Sequence, residues 1–265
     1  MLSLGVDDFL IMTFDSLRYD VAQLAWETGV IPKLAKSLSE SGWERRHAPG
    51  SFTYASHAAY FAGFFPTPAK PGRHERGIGL RFAGSETLAS DAVVFDAPDI
   101  VTGFRENAYF ALGIGGVGFF NRQTPVSSYF PSLFDEFHWC EECSVVNPKS
   151  AGHQVDMAIE ILSRRSIHER VLLFINLSAM HQPSSIFVEG AARDSVQTQC
   201  AALASVDMPW SRLNEFLRQR GRGKGILCSD HGTTFGEDGY NGHRLAHPVV
   251  WDVPYAEVRW GIGAA

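Results

Sequence analysis

Ile226 to His247 reads ILCSDHGTTFGEDGYNGHRLAH, an apolar run that stops at Ser229-Asp230-His231-Gly232 and opens into a glycine-rich loop with two further histidines. The run Gly225 to Cys228 is short and apolar, as expected of a strand buried inside a sheet. In open α/β sheets ligands bind beyond the carboxyl ends of the strands, and Asp230 and His231 stand at such an end. Neighbouring strand residues point to opposite faces. The two can therefore share one ion only where the strand has already ended, and Gly232 permits that exit. Gly236, Gly239 and Gly242 allow a tight path that offers His243 and His247. A carboxylate with neutral imidazoles suits a divalent ion such as Zn²⁺ or Mn²⁺. A polar surface loop with an Asp-His turn cap has the same composition, so the remainder of the chain has to separate the two.

Near the start, Asp8-Phe-Leu-Ile-Met-Thr-Phe-Asp15 is a second apolar run ended by an acid. It fits a parallel strand buried on both faces, with Asp15 either at a ligand-binding strand end or capping the helix that follows. Pro32 to Ser41 carries Leu34 and Leu38 at helical spacing and stops at Gly42, which predicts a short amphipathic helix. Trp43 to His47 then reads as a strand leading into Ala48-Pro-Gly-Ser-Phe-Thr53-Tyr-Ala-Ser-His57 and an alanine-rich helix. Thr53 falls at or near the N-terminus of that helix, where free N–H groups and the dipole attract a phosphate-like anion. A hydroxyl beside a metal is activated as a nucleophile; an ordinary N-cap is the other role open to Ser51 or Thr53.

The chain has 265 residues, 45% of them hydrophobic, enough to bury a large core, and it is expected to form one domain over residues 1–265. Its net charge is −6 with no long basic block, which excludes a general nucleic-acid binder. It contains no apolar stretch long enough to span a membrane and no signal-peptide pattern, so a cytoplasmic location is expected. Cys140-Glu-Glu-Cys143 is a lone CxxC without a second ligand pair, and reduced, unligated thiols are expected.

Four segments, in order, resemble the alkaline phosphatase superfamily, which includes sulfatases, nucleotide pyrophosphatase/phosphodiesterases and phosphoethanolamine transferases. Phe14-Asp-Ser-Leu-Arg-Tyr-Asp20 resembles the strand-end pattern D-x-L-R-x-D, with Asp15 at a metal-ligand position. Ile31 to Gly42 resembles the helix that follows it, and Thr53-Tyr-Ala-Ser-His57, ten residues before Gly63, resembles the nucleophile segment. Ser229-Asp-His-Gly, Gly236-Glu-Asp-Gly and Gly242-His resemble the C-terminal metal and substrate loop, and Asp252-Val-Pro-Tyr the closing segment. The resemblance implies a three-layer α/β/α sandwich with a mostly parallel central sheet.

In the middle of the chain, Asp91 to Phe95, Tyr109 to Ile114 and Val171 to Leu177 read as strands; Asp99 to Glu106 and Val155 to Arg164 read as helices. Gly113 to Gly118 matches G-x-G-x-x-G, but Asn121 and Pro125 oppose the helix a dinucleotide site requires, leaving a glycine-rich strand exit. Ala191 to Arg220 reads as a helical region broken at Pro209, with Asp207 structural. His181-Gln-Pro183 resembles the His-x-Pro after the corresponding strand of sulfatases, where the histidine meets a substrate oxygen or the second metal position.

Taken together, the resemblance implies that Asp15, Thr53, Asp230 and His231 hold one divalent ion, Zn²⁺ before Mn²⁺. Thr53 is the implied nucleophile, forming a covalent phosphothreonine. His181 and His243, then His247 and His57, are candidates for binding substrate oxygens or a second ion. Thr53 replaces the cysteine or serine of sulfatases, which favours phosphate esters over sulfate esters. Ser16 and Leu177 stand where second-site carboxylates occur in relatives, which leaves a non-catalytic metal- or anion-binding subunit as an alternative. The expected partner is a small phosphate or sulfate ester, with a protein partner or homo-oligomer also open.

Overall fold

A computed structural model describes residues 5–62 and 99–261. In chain order the elements are β1 (Asp8–Phe14), α1 (Tyr19–Glu27), β2 (Glu44–His47), α2 (Thr53–Ala62), α3 (Ile100–Glu106), β3 (Phe110–Ile114), α4 (Pro125–Tyr129) and β4 (Glu136–His138). They continue with α5 (Ser150–Ser163), β5 (Val171–Leu177), α6 (Val196–Arg220), β6 (Gly223–Ser229), the two-residue strands β7 (Thr234–Phe235) and β8 (Asn241–Gly242), α7 (Pro248–Trp251) and β9 (Asp252–Trp260). Seven of the strands form one sheet in the order β2-β9-β6-β1-β5-β3-β4. The run from β6 to β4 is parallel, and β9 pairs antiparallel with both β6 and β2.

Alternation along the strands feeds two cores. Leu10, Met12 and Phe14 of β1, with Leu173, Ile175 and Leu177 of β5, pack under α1, α5 and α6. Phe9, Leu172 and Phe174 point the other way into a phenylalanine-rich cluster with Phe61 of α2 and Phe104 of α3. Helices on both faces of a mostly parallel sheet make the expected α/β/α sandwich. The second face turns polar toward the carboxyl ends of the strands, where Thr13 and Asn176 stand opposite each other in register. No helix among the described residues is long and apolar enough to cross a membrane.

Three local expectations need correction. Pro32 to Ser41 is not an amphipathic α-helix: only Leu34–Ser37 turns, as a 3-10 helix. The Asp207 carboxylate accepts the N–H groups of Lys33 and Leu34 at 2.9 and 2.8 Å, and a bridge between Ser39 and Gly42 closes the segment before it can continue. This gives Asp207 the structural role expected of it. Pro209 does not break the last long helix, which runs unbroken from Val196 to Arg220. Burial of Val206, Trp210, Leu213 and Leu217 along one face holds the helix through the missing N–H. That helix also starts later than residue 191, at a capping box on Ser195.

The glycine run after β3 is a strand exit with no dinucleotide-type helix following it. Its glycines serve close approach: a Cβ on Gly113 would lie 2.2 Å from the Phe137 ring, and one on Gly116 would lie 2.5 Å from the Asn176 carbonyl. The strand expected over Asp91 to Phe95 and the glycine at position 63 lie outside the described residues.

Candidate metal centre

Strand ends β1 and β6 lie side by side, with Phe14 opposite Ser229, so Asp15 and Asp230 emerge together beyond the sheet. Helix α2 begins at Thr53 over the same edge. Asp15, Asp230 and His231 each place one ligand atom within 4.8 Å of the others, and all three are fully buried. Thr53 Oγ1 donates to Asp15 Oδ2 at 3.2 Å and lies 3.4 Å from His231 Nε2. The four residues assigned by motif therefore share one point. Thr53 spends its hydroxyl on the centre, as the first residue of α2, and Asp15 caps no helix: the N-cap of α1 is Arg18.

Ring protons can be placed from the carbonyls. His231 Nδ1 sits 2.8 Å from the Gly232 carbonyl and so donates to it, leaving the Nε2 lone pair facing Thr53 and Asp230. His181 Nδ1 likewise donates to the Gln182 carbonyl at 2.7 Å. Asp230 Oδ1 accepts two backbone N–H groups, from Ser16 at 3.1 Å and His231 at 2.9 Å. Asp230 Oδ2 is buried with no hydrogen-bond partner. Burial, and then the Asp15 charge, push the Asp230 carboxyl well above the usual carboxylate range. Burial would raise Asp15 as well, but the His181 and His231 imidazoles and the Asn176 amide outweigh it and hold that carboxyl low.

Two carboxyl groups buried together, one oxygen without a hydrogen-bond partner, and a His231 imidazole whose proton affinity burial lowers form a donor set suited to a divalent cation. Asp15, Asp230, His231 and the Thr53 hydroxyl fit a divalent ion of the zinc type.

The other histidines divide. His243 lies with its ring centroid 4.5 Å from that of His231 and 5.8 Å from that of His181, so these three line one side of the centre. Burial, then His231 and His181, push the His243 imidazole down to about 4, and its Nδ1 is buried without a partner. His247 is engaged elsewhere: Nδ1 accepts the Val249 N–H at the start of α7 and Nε2 lies 3.2 Å from Asp238. His57 lies beneath the centre, not on its open side, among the rings of Phe61, Phe120, Phe130 and Phe174. Its Nδ1 donates to the Thr53 carbonyl at 2.8 Å and its Nε2 accepts from Thr13 Oγ1 at 3.1 Å.

Burial pushes the His57 imidazole down to about 4 from an ordinary 6.5. A histidine whose folded value is depressed contributes stability above its unfolded value, and that stability is lost as pH falls from 6.5 toward 4. The loss is on the order of 3 kcal/mol. Urea titrations at pH 7 and pH 4.5 are expected to show it, and His57→Phe, which cannot charge, is expected to flatten that part of the profile.

Several supporting residues are not visible as motifs. Asn176 donates through Nδ2 to both Asp15 Oδ2 and Thr13 Oγ1, each at 3.2 Å, while its Oδ1 accepts the Val117 N–H. Ser16, at φ 63°, donates its hydroxyl to Asp15 Oδ1. Ser56 Oγ donates to the Asp230 carbonyl at 2.7 Å, tying α2 to the end of β6. Arg18 ties the histidine loop to the β1 end: it pairs with Glu237 at 2.5 Å and with Asp20, under the Phe235 ring. A polar Asn176 inside an otherwise apolar strand was the one available signal. Gly232 serves close approach more than exit, since a Cβ there would stand 1.9 Å from the Val249 carbonyl.

No protein-family model and no curated protein sequence matches the chain. Solved structures do. The C-terminal periplasmic domain of phosphoethanolamine transferase EptC from Campylobacter jejuni aligns at 12% identity and TM-score 0.65, covering 96% of this chain and 80% of that one. The corresponding EptC domain from Escherichia coli, in complex with Zn, aligns at 10% identity and TM-score 0.63, covering 96% and 72%. An alkaline phosphatase superfamily protein from Vibrio parahaemolyticus aligns at 16% identity and TM-score 0.60, covering 98% and 61%. The chain therefore has the alkaline phosphatase-like fold that its motifs resembled. Its neighbours in that fold include phosphoethanolamine transferases.

Proposed function

We propose that the chain is a metal-dependent phosphoryl-transfer enzyme acting on phosphate esters through Thr53. The observation that carries this reading is the position of Thr53 Oγ1, at the first residue of α2, 3.2 Å from Asp15 Oδ2 and 3.4 Å from His231 Nε2. A divalent ion held by Asp15, Asp230, His231 and Thr53 would lower the hydroxyl's pKa and offset charge on the transferred group. The chain's own residues supply the rest. Asp15 Oδ2 accepts the Thr53 hydrogen bond and so orients the hydroxyl, and the N-terminal N–H groups of α2 face the incoming phosphate oxygens. Thr53 Oγ1 bonds to phosphorus as the ester oxygen departs with the proton that Thr53 gives up. His181, with Nδ1 committed to Gln182, and His243 face those oxygens from the other side. Water or an acceptor hydroxyl then displaces Thr53, which regains its proton.

Supporting the reading are the joint order of the four motifs, the orphaned Asp230 oxygen and the fold shared with phosphoethanolamine transferases. Zinc is the proposed metal, with manganese as the substitute. A threonine in place of a cysteine or serine ranks sulfate esters below phosphate esters. The test is acid quenching during turnover of an activated phosphodiester and monoester, followed by peptide mass mapping. Phosphate on the Thr53 peptide supports the reading. Turnover with no modified peptide and no loss in Thr53→Ala would replace the nucleophile. Turnover confined to sulfate esters would move the chain to the sulfatase reading, and absence of all turnover in metal-loaded protein would move it to a binding subunit.

A further inference from the structure

The turn Cys140-Glu141-Glu142-Cys143 carries chemistry that the metal centre does not use. It follows β4 at the edge of the sheet and precedes α5. A 3-10 turn over Glu141–Cys143, closed by Cys143 N–H donating to the Cys140 carbonyl at 3.0 Å, brings the two side chains together. Their Sγ atoms lie 3.1 Å apart as free thiols. A disulfide needs about 2.05 Å, so closing the bond takes a sulfur displacement of about 1 Å. Structural zinc does not account for the pair, because such a site takes four ligands. Among the described residues the one cluster of three or more ligating groups is Asp15, Asp230 and His231.

The two thiols differ in access. Cys140 is half-buried and Cys143 fully buried, while Cys200 and Cys228 are free thiols on other elements. The exposed member of such a pair meets the oxidant and the buried one completes the exchange. The turn also braces the exit of β5: the Cys143 carbonyl accepts Ser178 Oγ at 2.6 Å, and the Ser178 carbonyl accepts the His181 N–H at 3.0 Å.

We propose that Cys140 and Cys143 are a reversible dithiol/disulfide pair, a modification site oxidised by exchange with a small-molecule disulfide of the glutathione class. Cys140 loses its proton and its thiolate attacks one sulfur of glutathione disulfide. The first glutathione leaves as a thiolate and takes a proton, with Cys140 held as the mixed disulfide. Cys143 then loses its proton and attacks Cys140 Sγ, releasing the second glutathione as a thiol. Two cysteine thiols are oxidised by two electrons, and one glutathione disulfide is reduced to two thiols. The pair stands apart from the metal chemistry, so it holds whether or not the proposed phosphoryl transfer does.

The test incubates the folded, full chain with glutathione disulfide, removes the reagent, unfolds the protein in urea and counts thiols by alkylation and mass. Four cysteines are present in the sequence, and the expected result is a fall from four alkylated thiols to two. The peptide spanning 140–143 should lack two hydrogens and carry no glutathione, and dithiothreitol should restore all four thiols. Cys140→Ser, at the half-buried position where a hydroxyl is tolerated, should keep all three of its remaining thiols under the same treatment. Four thiols remaining in the wild type, or glutathione retained on Cys140 with Cys143 still alkylated, would overturn the proposal.

Discussion

Thr53→Ala is expected to lower kcat on phosphate esters by on the order of 10⁴-fold or more, with little change in thermal stability. The oxygen lost is the one that Asp15 and His231 converge on, at 3.2 and 3.4 Å, whereas the fold asks little of the side chain. Alanine is a good residue for the first turn of α2, and the other ligand atoms of Asp15, Asp230 and His231 remain. Thr53→Ser keeps the hydroxyl and is expected to retain measurable turnover, which separates loss of the nucleophile from loss of packing. Steady-state rates of the two variants, measured beside their melting curves, check this. Equal activity in the alanine variant would remove Thr53 from the chemistry.

Stripping the metal is the second large perturbation. Asp15 and Asp230 are both fully buried side by side at the end of the sheet, and without a cation only one of them, Asp15, carries its charge. A ligand that binds only the folded state stabilises it by about 4 kcal/mol at roughly 1,000 times its Kd. For a chain of this size that amounts to about 10 °C in melting temperature. The stabilisation depends on pH with a definite sign. Asp230, raised by burial and by Asp15, keeps its proton in the metal-free fold at pH values where the unfolded chain has released it. The metal-free fold therefore loses stability as pH rises above the ordinary aspartate value. The ion competes with that proton, so the gain from added Zn²⁺ grows from pH 5 to pH 8. Melting curves with and without chelator across that range should diverge as pH increases; parallel curves would mean that no ion occupies the buried carboxylates.

What the sequence disclosed follows from where each cause lies. Strands β1, β5 and β6 are legible because burial on both faces leaves unbroken apolar runs, and Asp15 and Asp230 mark their ends. Thr53 and His231 are legible because the motif order places them, and the structure gathers both at the same point. The segment after Pro32 misleads because its helical pattern is overruled by Asp207, which is brought from a distant helix to take its N–H groups. Asn176 and Thr13 acquire their roles only through the register of β1 against β5, which no local pattern encodes. His247 and His57 rank behind His243 as candidates in the sequence, and the structure engages both elsewhere: one caps α7 and the other is sealed among phenylalanine rings beneath the centre.

Metal content per chain of the freshly purified protein, measured beside Asp230→Ala, tests the central claim most directly. Asp230 is the residue whose buried oxygen lacks a partner, so its removal deletes a proposed ligand and relieves an unfavourable carboxylate at once. The expected result is tightly held zinc in the wild type and none in the variant, with the variant still folded. A wild-type protein that carries no divalent metal and gains none from added Zn²⁺ or Mn²⁺ would contradict the metal centre and the phosphoryl-transfer chemistry built on it.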